Sequence, residues 1–345
     1  QKSNQLINTV VTSQQIYVEP PPPPSGGDPI AQTFIVNKSN YPNGVFLNSI
    51  KVFFAKKPTT GNYPVTLKIV PTLNGYPSGE SLAYSTKVLS GDQIQVSSAP
   101  HYLDSTTYTE FKFDAPVYIQ AETLYAFIVK SGSSAYTLWT AVNGENAVSS
   151  TVKNLPTDPT PSVVTKIGGA PYVGSLFLSQ NSQTWTADQN KDLMFVLDKC
   201  VFNTSVSPTI QFVVPNKLPQ RTLTDQSVAY FLNANSVPSN ITSVSNTNVY
   251  VDAFNVTTTD FLPTTTGITY NYNATLTNGN AAGSQNITPG KYGTSAYDNI
   301  YLNDGQGERL LIANSNTSFS LYAQLSSTDS SVSPVISDDN KSLPV

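Results

Sequence analysis

The chain has 345 residues, enough for two all-β domains of ordinary size, each burying a core of its own. Only 12% of residues are charged and the net charge is −4, so the basic field that nucleic-acid binding needs is missing. No apolar run approaches the ~18 residues of a membrane-spanning helix, and the single cysteine, Cys200, rules out an internal disulfide framework.

Residues 1–28 read as an extended, proline-rich connector arm. Ile7, Val10, Val11 and Ile16–Val18 suffice for a short strand but not for an independent core. The run Pro20–Pro24, followed by Ser25-Gly26-Gly27, is a stiff polyproline II spacer that carries the arm away to dock elsewhere. No signal peptide is visible. The chain opens on Gln1 and closes on Ser342-Leu343-Pro344-Val345, so further sequence is expected on at least one side.

Residues 29–203 are expected to form a jelly-roll-like β-sandwich. Ala31–Val36 reads as its first strand, and Phe46–Phe54 as the next, after the Pro42-Asn43-Gly44 turn. Val65, Leu67 and Ile69 alternate with Thr66 and Lys68 in a third, ending at the turn cluster Asn74–Gly79. Leu82–Leu89 and Gln93–Val96 are weaker strands. The stretch 109–144 is the expected centre of the sandwich. Phe111, Phe113, Val117 and Ile119 alternate with polar residues, and Leu124–Val129 is an unbroken apolar run suited to burial on both faces. Lys130–Ser134 has loop composition, which predicts that Leu124–Ala141 is an antiparallel hairpin with Leu124, Ala126, Ile128 and Leu138 buried. Residues 145–165 read as a long polar loop. Gly174–Leu178 and a single strand Leu193–Phe202 close the sandwich, with Cys200 in a buried, small apolar role.

Residues 204–345 are expected to form a second β-rich domain, a further sandwich that chain or subunits outside it help to complete. Its strands are Ile210–Val214, Val228–Leu232, Val249–Phe254, Gly267–Leu276, Ile300–Leu302, Arg309–Ile312 and Phe319–Leu325. In the last, Phe319, Leu321, Ala323 and Leu325 share one face. The fold class is therefore all-β: two consecutive β-sandwich domains with an N-terminal arm.

Chemistry is sparse. His101, the only histidine, lies in the turn-like Ala99–Tyr102 and reads as a polar loop residue rather than a general base. Gly305-Gln306-Gly307-Glu308 lacks a phosphate-loop pattern and reads as a hairpin turn. Three carboxylate groupings, Glu110/Asp114, Asp298/Asp304 and Asp338/Asp339, are the available acid pairs. A loop calcium site from Asp298, Asn303 and Asp304 would need several backbone oxygens besides. No catalytic, cofactor-binding or metal-ligating residue is assigned. Trp139 reads as a core residue. Trp185, in a polar loop, is the candidate ligand or partner contact, with a lid over its own domain as the competing reading.

Several pieces in order resemble a module of contractile-tailed bacteriophage virion proteins, baseplate wedge and tail-fibre-network proteins of cyanophage type above all. They are Asp28–Phe34, Gly44–Ile50 with Val52–Phe54, Asn74–Ser78, Ala115–Ile119 with Tyr125–Val129, Gly174–Asn181 and Ser331–Ile336. The resemblance covers about 28–203 closely and 204–345 loosely. It implies a structural virion component of the tail or baseplate, assembled in the bacterial host cytoplasm, without cofactor or turnover. Its partners would be other tail and baseplate subunits, with no nucleic acid and no membrane span. The alternative is a carbohydrate-binding adhesin module that contacts host surface glycans through Trp185 and tyrosines.

Overall fold

A computed structural model describes residues 28–145, 173–179 and 184–212, and from there 250–251, 253–254, 257–258, 260–275, 281–287, 290–291, 300–301, 310–311 and 318–336. The arm, the 145–165 loop beyond Glu145, Val228–Leu232, the calcium candidates, Gly305–Glu308 and Asp338/Asp339 lie outside the described residues. Among the described residues there is no α-helix; the protein is all-β, built from curled antiparallel sheets, with one short parallel pair.

The strands up to residue 212 are β1 Ile30–Ile35, β2 Val45–Val52, β3 Phe54–Lys56, β4 Val65–Leu73, β5 Tyr76–Pro77, β6 Lys87–Leu89, β7 Thr109–Ile119, β8 Leu124–Ser131, β9 Thr137–Leu138, β10 Thr140–Val142, β11 Val173–Leu178, β12 Thr186–Asp188, β13 Lys191–Leu193, β14 Phe195–Lys199 and β15 Thr209–Phe212. One sheet runs β12-β11-β1-β8-β4-β5, with β6 also on β4, and a second runs β14-β2-β7. The chain divides into two compact units. The first comprises residues through Ile35, Asn48–Val117 and Leu124–Asp198; the second comprises Val36–Leu47, Tyr118–Thr123 and the chain from Lys199 onward. The sequence boundary near 203 contains no hint that two short early segments belong with the later chain.

Alternation fixes the faces. In β7 the odd residues Thr109, Phe111, Phe113 and Val117 are buried, while Glu110, Lys112 and Asp114 are exposed. In β4, Val65, Leu67 and Ile69 are fully buried between half-buried Thr66 and Lys68. β8 lies between β1 and β4 in the sheet, and its Tyr125–Val129 run is buried on both faces, Phe127 against Phe195 on one side and Ala126 and Ile128 under Trp185 on the other, as an unbroken apolar strand requires. Phe34, Phe53, Phe54, Phe111 and Phe127 are the aromatic side chains among those fully withdrawn from water in the described part of this unit. Each contributes about 1.5–3 kcal/mol of transfer free energy. The β4–β5 turn uses Asn74 and Gly75, both left-handed at φ 53° and 83°, the pair that a two-residue hairpin loop matching the strand twist demands.

Several sequence expectations need correction. Leu124–Ala141 is not a hairpin: β8 pairs with β1 and β4, whereas β9 pairs with β3 and β10 with β13. Leu124 and Leu138 are consequently half-buried at strand ends, not in the core. The run Leu193–Phe202 is not one strand: it breaks at Met194 into β13 and a half-buried β14, and Cys200 lies just beyond, half-buried, its thiol pushed up by burial. Gln93–Val96 is the end of a short 3-10 turn and a single bridge from Val96 to Phe54, and only Lys87–Leu89 of the preceding stretch is a strand.

In the second unit the later strands are β16 Tyr250–Val251, β17 Ala253–Phe254, β18 Thr257–Thr258, β19 Asp260–Phe261, β20 Thr266–Thr275, β21 Ala281–Ile287, β22 Gly290–Lys291, β23 Ile300–Tyr301, β24 Leu310–Leu311, β25 Ser318–Ser327 and β26 Val335–Ile336. Of the strand expected over Val249–Phe254, the described residues Tyr250–Val251 and Ala253–Phe254 are strands. A four-stranded sheet β15-β25-β20-β21 buries Tyr270, Tyr272, Leu321 and Ala323. Tyr270 donates its hydroxyl to Asp260, at 2.9 Å from each carboxylate oxygen. Phe46 packs on Tyr118 and edge-on against Phe202, and Tyr118 packs on Phe261. Asn43 donates to Asp329 at 2.9 Å, and Cys200 N–H reaches the Phe46 carbonyl, so the early segments are stitched to the late chain.

Candidate functional site

Trp185 follows from a loop into β12 and packs, half-buried, on a cluster of Ala31, Val70, Ala126, Ile128 and Phe177. These residues share one face of the seven-stranded sheet, since Ala31 opposes Phe177 and Ile128 while Val70 opposes Ala126. Tyr76 approaches from the β4–β5 hairpin, its ring edge-on to Phe177 at 5.5 Å and 49% exposed. Trp185 therefore lids its own sheet and keeps part of its ring in water beside that face. Tyr76, which the sequence reading did not single out, joins it there. Trp139 is half-buried and pinned: its indole N–H donates to the Ser97 carbonyl at 2.8 Å, and its backbone bridges Phe53 and Met194.

A second constellation sits on the three-stranded sheet. Ser49 and Lys51 alternate to one face of β2, beside Glu110 of β7 and Asp198 of β14. The Ser49 hydroxyl, fully buried, lies 2.6 Å from Glu110 Oε1 and 3.1 Å from Asp198 Oδ2, and its single proton serves one carboxylate at a time. Lys51 pairs with Asp198 at 2.8 Å and lies 4.8 Å from the Tyr108 ring centroid; the Asp198 bond, against a smaller opposing cost of burial, holds the ammonium above its ordinary pKa. An open cleft of about 380 Å³ adjoins this cluster, lined by Leu89, Gln93, Gln95, Ser105, Tyr108, Thr109 and Glu110. Gln95, with its amide turned to suit its neighbours, donates to the Ser105 and Thr106 carbonyls, and Gln93 accepts from Ser90. The cleft presents amide, hydroxyl and carboxylate groups around one aromatic ring, a surface suited to hydrogen-bonding partners.

The remaining sequence candidates do not converge on either place. His101 Nδ1 accepts the Leu103 N–H at 3.2 Å and its ring stacks on Tyr102, which makes it a turn brace. Asp114 pairs with Lys87 at 2.6 Å, away from the Ser49 carboxylates. Asp104 is held below its ordinary pKa by the Thr106 hydroxyl and N–H that it accepts. Among the described residues, no group of three or more His, Cys, Asp or Glu side chains is placed to hold a metal ion, and no helix is long and apolar enough to cross a membrane. Ser49 and Lys51 are legible as same-face neighbours in the sequence, but which carboxylates stand across from them depends on strand order, which periodicity does not encode. No protein-family model matches the chain, and no curated protein or solved structure matches it.

Proposed function

We propose that the chain is a structural component of a contractile-tailed bacteriophage, in the tail baseplate or tail-fibre network, acting through interfaces with other virion subunits. The phage assignment rests on the resemblance of the sequence pieces given above. The geometric observation behind an interface role is the excursion between β4 and β6. Leu73, Tyr76 and Tyr84 stand 65%, 49% and 64% exposed there, in a segment where Glu80 is the sole charge from Val70 to Thr86. The segment is held in place: Ser78 N–H bonds the Pro71 carbonyl, Leu82 N–H bonds the Ile69 carbonyl, and the buried Ser85 hydroxyl accepts the Ile69 N–H and donates its one proton to either the Leu82 carbonyl at 2.8 Å or the Ile69 carbonyl at 3.0 Å. Exposed apolar side chains on a fixed backbone lose little entropy on docking, as a protein-binding surface requires.

A jelly-roll-like sandwich is the arrangement we propose for the first unit. Phe127 of the seven-stranded sheet packs on Phe195 of the three-stranded sheet at 5.0 Å, and Lys87 reaches Asp114 between their edges, which supports facing sheets. Immunogold or tag labelling of purified tailed particles tests the assignment. Label at the baseplate or fibre network is the expected result, and absence from purified particles refutes it.

The half-exposed rings of Tyr76 and Trp185 favour a second reading, an adhesin that stacks host surface glycans on this face. The full chain on a glycan array tests it: binding lost in Trp185→Ala and Tyr76→Ala supports an adhesin, and no binding at millimolar sugar counts against one.

A further inference from the structure

We propose that the chain pairs with a second copy of itself along the open edge of β7, antiparallel, with Phe111 of each copy opposite the other. β7 ends the order β14-β2-β7, so among the described residues its far edge carries no strand. Such an edge is a row of unpaired backbone donors and acceptors. Pro116 sets the phase: within a paired strand, proline sits where its missing N–H faces the open side. Glu110, Lys112 and Asp114 share that phase, which in the proposed pairing turns their N–H and C=O groups outward along the edge, and all three side chains are exposed.

Charge selects the occupant and the register. The exposed row reads acid, base, acid, so a second copy running antiparallel is its own complement. Centred on Phe111, the pairing sets Lys112 of each copy opposite Glu110 of the other, two favourable cross-strand pairs. Centred on Lys112, it sets lysine against lysine and Glu110 against Asp114, and like charges directly opposite are unfavourable. Centring on Phe113 would draw on Asp114, which Lys87 already holds at 2.6 Å, whereas Lys112 has no ion-pair partner among the described residues. The cleft lined by Gln93, Gln95, Tyr108 and Glu110 leaves open space beside the start of the strand. The pairing deepens the assembly reading above and rests on it.

Sedimentation velocity of the full chain at low salt tests the pairing. The expected species has twice the 37.1 kDa chain mass. Lys112→Glu and Glu110→Lys each weaken the dimer about tenfold or more, because each reversal converts two cross-strand attractions into repulsions. The double variant E110K/K112E restores it. Lys112→Glu is decisive, since Glu110→Lys also removes the Ser49 contact; an unchanged far-ultraviolet circular dichroism spectrum shows that each variant is folded. A wild-type monomer at every concentration, or a dimer indifferent to Lys112→Glu, overturns the proposal and makes Lys112 a guard against edge pairing. Loss of the dimer in Asp114→Lys but not in Glu110→Lys overturns the Phe111-centred register. A chain present in particles yet monomeric in solution refutes the pairing alone. A charge-dependent dimer missing from particles refutes the virion reading alone.

Discussion

Replacing Gln32 with methionine keeps the side chain's length and removes both of its long-range polar contacts. Gln32 is fully buried in β1, at the centre of the seven-stranded sheet. Its Oε1 accepts the Leu193 N–H at 2.8 Å, and its Nε2 donates to Asp192 Oδ1 at 2.9 Å, so one amide fastens β13 to the sheet. The Leu193 contact is buried, and an unsatisfied buried N–H costs about 1–3 kcal/mol, while a lost bond to a charged group costs roughly 1.5–3 kcal/mol. Asp192 is only half-buried and recovers part of its loss in water, so the expected destabilisation is about 3 kcal/mol. At roughly 2–4 °C per kcal/mol for a unit of this size, the melting temperature should fall by about 6–12 °C. Differential scanning calorimetry at neutral pH measures it. A fall below about 2 °C would show that β13 is held by something other than this amide.

Three further outcomes follow. Burial holds the Asp192 carboxyl above its ordinary 3.8, with Gln32 opposing the shift; the native state therefore keeps this proton to higher pH than the unfolded chain, and its stabilising share is full below 3.8 and lost as pH rises through the raised value. Asp192→Asn should flatten the decline of stability over that window in a urea titration series, and an unaltered slope counts against it. Gly44→Ala places a Cβ 2.5 Å from the Ile119 carbonyl and 2.8 Å from the Tyr118 hydroxyl at φ +83°, so about 2 kcal/mol or more should be lost in equilibrium unfolding, and a change under 0.5 would contradict that close approach. Trp185→Ala uncovers Ala31, Ile128 and Phe177 and should cost about 2 kcal/mol by the same assay; no loss would mean that the ring does not lid the sheet.

What the sequence made legible was the side of each strand, not its neighbour. The alternation Phe111, Phe113, Val117 and the unbroken Tyr125–Val129 run read correctly as one-sided and two-sided burial, because a period of two follows from backbone geometry alone. The hairpin expected over Leu124–Ala141 failed because adjacency in sequence was taken for adjacency in a sheet. β1, nearly a hundred residues earlier, occupies the place given to β9. Gln32 and Ser49 went unremarked since a polar residue in a strand looks exposed until the strands above it are known. Their burial reflects internal partners that only the fold supplies. Trp185 was legible as a loop aromatic, and both readings of it survive in one geometry, a lid with a wet edge. Tyr76 was hidden inside the turn cluster, where Asn74 and Gly75 carried the signal.

Quantitative mass spectrometry of purified tailed particles tests the central claim most directly. An interface-forming tail subunit predicts this chain at a fixed stoichiometry to the other tail proteins, retained through density-gradient purification. Its absence from such particles, or a variable trace removed by washing, would contradict the account.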